Sequence, residues 1–156
     1  MMNTPKYLLQ NVERYPNEPA ISIKNNSGKW NTHTWKEFYD KVLSLSKSLL
    51  ACGIDNNDKI SIYSYNRIEW NSCYMAAQMI NGVAVGVYHT CSSDEVKWIV
   101  GNSDSKIVFV GNNPNDNDEI EKMPNHRLLA VLDELEQVDL VVTMDGVDLL
   151  KHEKII

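Results

Sequence analysis

Between Thr34 and Val110, three apolar runs suited to strands alternate strictly with three helical segments, and few folds accept that order. Thr34 and Glu37 are spaced as a capping box, in which each side chain accepts a hydrogen bond from the other residue's backbone N–H. Trp35, Phe38, Val42, Leu45 and Leu49 then recur at helical spacing, and Gly53 supplies the left-handed residue that closes the helix. Lys59–Tyr63 follows as a strand. Asn66 and Glu69 repeat the cap pattern ahead of Trp70, Cys73, Tyr74, Ala77 and Ile80, with Gly82 as the closing residue. Val83–Tyr88 is the next strand. Ser92 and Glu95 open a third helix carrying Val96, Ile99 and Val100 and ending at Gly101, and Ile107–Val110 completes the run. Strands of continuous apolar character joined by helices need cover on both faces. The pattern therefore predicts an α/β fold: a partial doubly wound, mainly parallel sheet with right-handed crossovers.

The flanks read differently. Residues 4–15 are predicted as a helix with Thr4 as its cap, Pro5 in its first turn, and Leu8, Leu9 and Val12 on one face; Pro16 and Pro19 end it. Ala20–Lys24 and Trp30–Thr32 are expected to pair as a hairpin around Asn25-Asn26-Ser27-Gly28. Residues 1–33 thus form a leading helix and hairpin, and 34–110 the βαβ-type core. In 111–156, the NNPNDND stretch from Asn112 reads as a solvated loop, 117–136 as helix and Leu140–Thr143 as a strand. Val147–Ile156 shows no closing element, so this part reads as the truncated end of an incomplete domain. An uncovered apolar face or edge would follow, with self-association or aggregation through it.

Composition excludes several functions. Apolar residues make up 43% of the 156, enough for a packed core. Residues 1–114 carry 11 basic and 10 acidic side chains, whereas 115–156 carry 4 and 11. No Lys/Arg cluster is available to follow a phosphate backbone, which argues against nucleic acid as a partner. The acidic third is a solvated face. Cys52, Cys73 and Cys91 have neither zinc-type nor C-x-x-C spacing, and are expected to be buried or half-buried free thiols in a reducing cytosol. The start lacks the charged and apolar regions of a signal peptide, and no apolar run reaches the ~18 residues of a membrane span. The expected location is the cytoplasm.

The residues with chemical potential fit ordinary structural roles. His89, just past a strand's carboxyl end, stands where open α/β sheets hold ligands, but without a partner motif it reads as a loop histidine. His33, His126 and His152 share no metal-ligand spacing. Trp30, Trp35, Trp70 and Trp98 read as packing residues, since no basic residues interleave with them. Asp116, Asp118, Glu119 and Glu121 lack the Gly turn and terminal Glu of a calcium loop. Ser61 and Ser64 sit in no G-x-S-x-G elbow. The Gly82/Gly86 pair has the wrong spacing for a dinucleotide fingerprint.

Four landmarks in the alternating run together resemble one family. Thr34-Trp35-Lys36-Glu37-Phe38 is similar to an early T-[YW]-x-E helix start. Lys59-Ile60-Ser61-Ile62 followed by Asn66-Arg67-Ile68-Glu69-Trp70 is similar to a strand and N-x-x-E-W. Asn81-Gly82-Val83-Ala84-Val85-Gly86-Val87-Tyr88 is similar to G-[AG]-V-x-V-P-[IL]-[YN]. Ser92 to Val110, with Ser103-Asp104-Ser105-Lys106, is similar to S-x-E-x-x-x-I-x-x-S-x-[AS]-K and its strand. In order and spacing these resemble the N-terminal part of the AMP-forming acyl-CoA synthetases, of the adenylate-forming superfamily. Val-Gly-Val-Tyr with Thr90 favours the long-chain fatty acyl branch. Gly86 departs from the motif, which has Pro there.

The resemblance implies that the complete enzyme is a fatty acid–CoA ligase using ATP, Mg2+ and CoA. It also implies that the phosphate-gripping Ser/Thr/Gly-rich loop and the catalytic lysine lie beyond this chain. The seven glycines, at 28, 53, 82, 86, 101, 111 and 146, are nowhere adjacent, and no G-x-x-x-x-G-K occurs. No catalytic, cofactor-binding or metal-binding residue is therefore assigned within the chain, which is expected to be inactive alone. The alternative is a non-catalytic α/β module that pairs with a separately encoded partner chain.

Overall fold

The computed structural model describes residues 3–25, 27–112, 119–145 and 152–156. The chain divides into two compact units, residues 1–56 with 67–82, and residues 57–66 with 83–156.

The first unit holds helix α1 (Thr4–Arg14), an antiparallel hairpin of β1 (Pro19–Lys24) and β2 (Trp30–Thr34), and helices α2 (Trp35–Ala51) and α3 (Ile68–Met79). Asn3, not Thr4, caps α1, its side chain accepting the Lys6 N–H at 3.2 Å. Pro5 still falls in the first turn, where its missing N–H costs no intrahelical bond. In the hairpin turn the Asn25 side chain accepts the backbone N–H groups of Ser27 and Lys29, and Gly28 takes φ +79°. Asn26 lies outside the described residues.

The capping box at α2 forms as expected. Thr34 Oγ1 accepts the Glu37 N–H at 3.2 Å, and Glu37 accepts the Thr34 N–H at 2.9 Å. That backbone hydrogen bond holds the Glu37 carboxyl below its ordinary pKa. Phe38, Val42 and Leu49 are buried, and Gly53 closes the helix at φ +82°. Ser46 shares the buried face, its hydroxyl donating back to the Val42 carbonyl at 2.8 Å.

The start of α3 corrects the expectation. Arg67, not Asn66, occupies the cap position, with no side-chain cap, so Glu69 falls one place too early to close a box. Glu69 accepts from Arg67 Nε at 2.8 Å instead. Burial opposes the Glu69 charge, yet the guanidinium outweighs it and the carboxyl titrates below its usual range. The left-handed residue past α3 is Asn81 at φ +60°, not Gly82, whose N–H donates to Ala77 O at 2.8 Å. Asn tolerates that conformation better than most residues.

The second unit is a four-stranded, wholly parallel sheet: β3 (Lys59–Ser64), β4 (Val83–Val87), β5 (Ser105–Gly111) and β6 (Leu140–Thr143), in the order β4-β3-β5-β6. The central pair is buried almost throughout. Helices α4 (Ser93–Asn102) and α5 (Pro124–Leu129) join one apolar cluster with the strands, built around Tyr63, Val96, Val100, Val108, Leu128 and Leu132. The Ser92–Glu95 capping box is formed. Gly101 lies inside α4, and Asp104, at φ +56°, makes the left-handed exit.

Residues 117–136 are not one helix. Within the described part, a 3-10 turn (Ile120–Lys122), α5 and a second 3-10 turn (Leu132–Glu134) replace it. Pro124 has no N–H to extend a preceding helix and starts a new one. The loop at 113–118 lies outside the described residues, as do 146–151. The C-terminal segment does carry a closing contact, a parallel bridge from Ile155 to Val141. Three further expectations fail: Trp30 and Trp98 are 66% and 68% exposed rather than packed, and Cys52 is an exposed thiol.

Candidate functional site

Parallel sheets gather their loops at the carboxyl ends of the strands, and ligands of open α/β folds bind there. In the second unit that rim comprises Ser64 at the end of β3, Tyr88–Ser92 after β4, Asn112 after β5 and Met144–Asp145 after β6.

Two side chains clamp the loop after β4. Tyr63, whose ring is fully buried in the sheet cluster, donates its hydroxyl to the Cys91 carbonyl at 2.9 Å. Arg127, from α5, donates Nη1 to the carbonyls of Thr90 at 2.9 Å and Cys91 at 2.8 Å. Burial pushes the Tyr63 phenol up to about 12, with Arg127 pulling the other way. The phenol is a hydrogen-bond donor at neutral pH, not a base.

A second knot lies after β5. The Asn112 N–H donates to Asp145 Oδ2 at 2.6 Å, and its side-chain oxygen accepts the Asn125 N–H at 3.2 Å. Asn125, itself buried, accepts the His126 N–H at 2.8 Å. At the end of β3 the buried Ser64 hydroxyl has no hydrogen-bond partner among the described residues, a situation that costs about 1–3 kcal/mol.

The rim is thus rich in hydrogen bonds, and those described join its loops to a strand, to α5 and to one another. His89 is exposed in the β4–α4 loop. His126 lies in α5 and His152 pairs with Asp133 at 3.0 Å, so the histidines are not brought together as a ligand set. Glu119 and Lys122 form an exposed pair at 3.2 Å, while Asp116 and Asp118 lie outside the described residues. Among the described residues no three His, Cys, Asp or Glu side chains are arranged to hold a metal ion. Nor is any described helix long and apolar enough to cross a membrane.

A family model described as "AMP-binding enzyme" matches residues 8–156. The chain belongs to that family. It is 26% identical over 141 residues, 90% of its length, to the long-chain-fatty-acid–CoA ligase ACSBG2 of Mus musculus. It is 34% identical over 103 residues, 64% of its length, to long chain acyl-CoA synthetase 4 of Arabidopsis thaliana. It spans 20% of the mouse protein and 16% of the plant one. Among solved structures, coronafacic acid ligase from Pectobacterium brasiliense superimposes with a TM-score of 0.79 at 18% identity, covering 99% of this chain and 28% of that one. That similarity shows a shared fold.

Sequence reasoning missed Tyr63, Arg127 and Asn112. Arg127 had one signal, a lone cation among apolar residues in an acidic stretch. Its partners lie 36 and 37 positions away, and no local pattern reports that distance.

Proposed function

We propose that this chain is the N-terminal portion of a long-chain fatty acid–CoA ligase and that it supplies scaffold rather than reacting groups. The complete cytoplasmic enzyme joins a fatty acid to CoA, cleaving ATP to AMP and pyrophosphate, and splitting the reaction in this way turns a carboxylate oxygen into a good leaving group. The observation that carries the scaffold role is the carboxyl rim. Tyr63, Arg127 and Asn112 hold carbonyls and N–H groups of neighbouring loops, which sets those loops in place for a site assembled with further residues. The names of the mouse and plant relatives support the fatty acyl substrate.

The test is ATP–pyrophosphate exchange with the purified 156-residue chain, a long-chain fatty acid and Mg2+. Exchange should not rise above the no-protein blank. Fatty-acid-dependent exchange would overturn the scaffold reading. A second reading, a non-catalytic module that pairs with a separate chain, draws on the exposed Val83 and Tyr88. Size-exclusion chromatography separates the two: a compact monomer supports the module, and aggregation supports the fragment.

A further inference from the structure

Two tryptophans of similar exposure stand in opposite surroundings. Trp98, 68% exposed, follows Asp94 by one helical turn on α4, and its neighbour Lys97 is paired with Glu134. Trp30, 66% exposed, opens β2 in a stretch without acid: no Asp or Glu occurs between Glu18 and Glu37, although the chain carries 21. Glu37 itself is held by Thr34, and Asp40 is paired with Lys36 at 2.6 Å.

The hairpin register sets what surrounds Trp30. Lys24 is its cross-strand partner, so both side chains leave the same face. Ser22 and Thr32, also partners, stand further along that face, with Oγ and Oγ1 2.8 Å apart. Ile21 and Ile23 take the opposite face and are half-buried. The Asn25 N–H donates to Lys29 O at 2.8 Å and closes the turn, which brings the exposed Lys29 beside the pair. The outward face thus shows one indole, two ammonium groups, and two hydroxyls already bonded to each other.

We infer that this outward face of the β1–β2 hairpin is a contact site for an anionic lipid surface, an inference independent of the reading under Proposed function. Indole rings settle at the headgroup level of bilayers, where the ring is sheltered and its N–H stays wet. Lysines beside the ring are drawn to the negative surface potential, and no carboxylate within the hairpin opposes them. A protein partner fits less well. The ring's neighbours on that face are Lys24, Ser22 and Thr32, none of them an apolar anchor that would build a packed hot spot. Single-stranded nucleic acid takes a succession of stacking rings along a basic groove, and this face offers one ring.

The test uses vesicles of phosphatidylcholine alone and of phosphatidylcholine mixed equally with phosphatidylglycerol. Each is titrated with the 156-residue chain, and the bound fraction is read by co-sedimentation. Partition into the anionic vesicles should be at least about tenfold stronger, and the preference should fade in high salt. Lys24→Gln and Lys29→Gln should each weaken it about fivefold. Trp30→Ser should remove the blue shift of indole emission that accompanies binding, whereas Trp98→Ser, in its acidic surroundings, should keep both the shift and the partition. All four side chains are exposed, so each variant should retain the circular dichroism of the parent. Equal or absent partition into the two vesicle types overturns the site, as does partition unchanged by the lysine substitutions. A shift lost in Trp98→Ser rather than in Trp30→Ser places the contact on α4 and overturns it too. Binding of a single-stranded oligonucleotide that depends on Lys24 and Lys29, without binding to vesicles, assigns the face to nucleic acid and overturns the lipid.

Discussion

The two ends of the parallel sheet are held by different means. At the amino end, Lys106 Nζ meets Asp58 Oδ1 at 2.8 Å, with the lysine side chain 43% exposed. At the carboxyl end, the Tyr63 hydroxyl and the Arg127 guanidinium converge on one carbonyl, that of Cys91. Water and salt compete with the first arrangement and screen it. In the second, the Tyr63 ring is fully buried, so water competes less with its hydroxyl, while the Arg127 bond to Thr90 is exposed and that to Cys91 part-buried. The contrast teaches where buried and charge-assisted donors converge on a single carbonyl: at the end where the loops emerge.

The largest effect should come from Arg127→Ala, which removes two charge-assisted hydrogen bonds to carbonyls. Urea denaturation should show a loss of about 1.5–3 kcal/mol. Arg127→Met keeps the apolar stem and separates lost packing from lost hydrogen bonds. A loss near zero in both variants would dissolve the contrast between the two ends.

Next comes a pH window. The folded Tyr63 phenol titrates at about 12, above the ordinary value of 10.0, chiefly because it is buried. Its contribution is therefore fully present below pH 10.0 and is lost as pH rises through about 12. Phenolate absorbance during alkaline titration should show one late-ionising tyrosine that disappears in Tyr63→Phe. A difference spectrum at the ordinary tyrosine midpoint would mean that the ring is not enclosed.

The smallest effect belongs to Lys106→Met. The Asp58 hydrogen bond raises the Lys106 pKa, but the ammonium stands in solvent. Its denaturation midpoint should match the parent chain within error, and any small difference should vanish in high salt. A loss as large as that of Arg127→Ala would reverse the comparison.

Legibility followed the range of each interaction. The capping boxes at Thr34/Glu37 and Ser92/Glu95 were readable because both partners lie within four residues and the bonds are local. The same logic failed at α3, where starting the helix one residue later turned Glu69 towards Arg67. Glycine was the expected closing residue at 82 and 101, but Asn81 and Asp104 took the left-handed conformations. A side chain that tolerates αL competes with a glycine beside it, and the exact helix length decides which is used. Trp98 fits a packing role by composition, yet its position on α4 leaves it exposed.

By itself, the amino-acid order determined the alternation of strands and helices, the parallel class of the sheet and the two capping boxes, because periodicity and capping act within a few residues. Tertiary structure alone decided the strand order β4-β3-β5-β6 and the Arg127–Cys91 clamp. These depend on groups far apart in the chain, 36 positions for Arg127 and Cys91 and 44 for Ser61 and Ser105, and that closeness exists only once the sheet has formed.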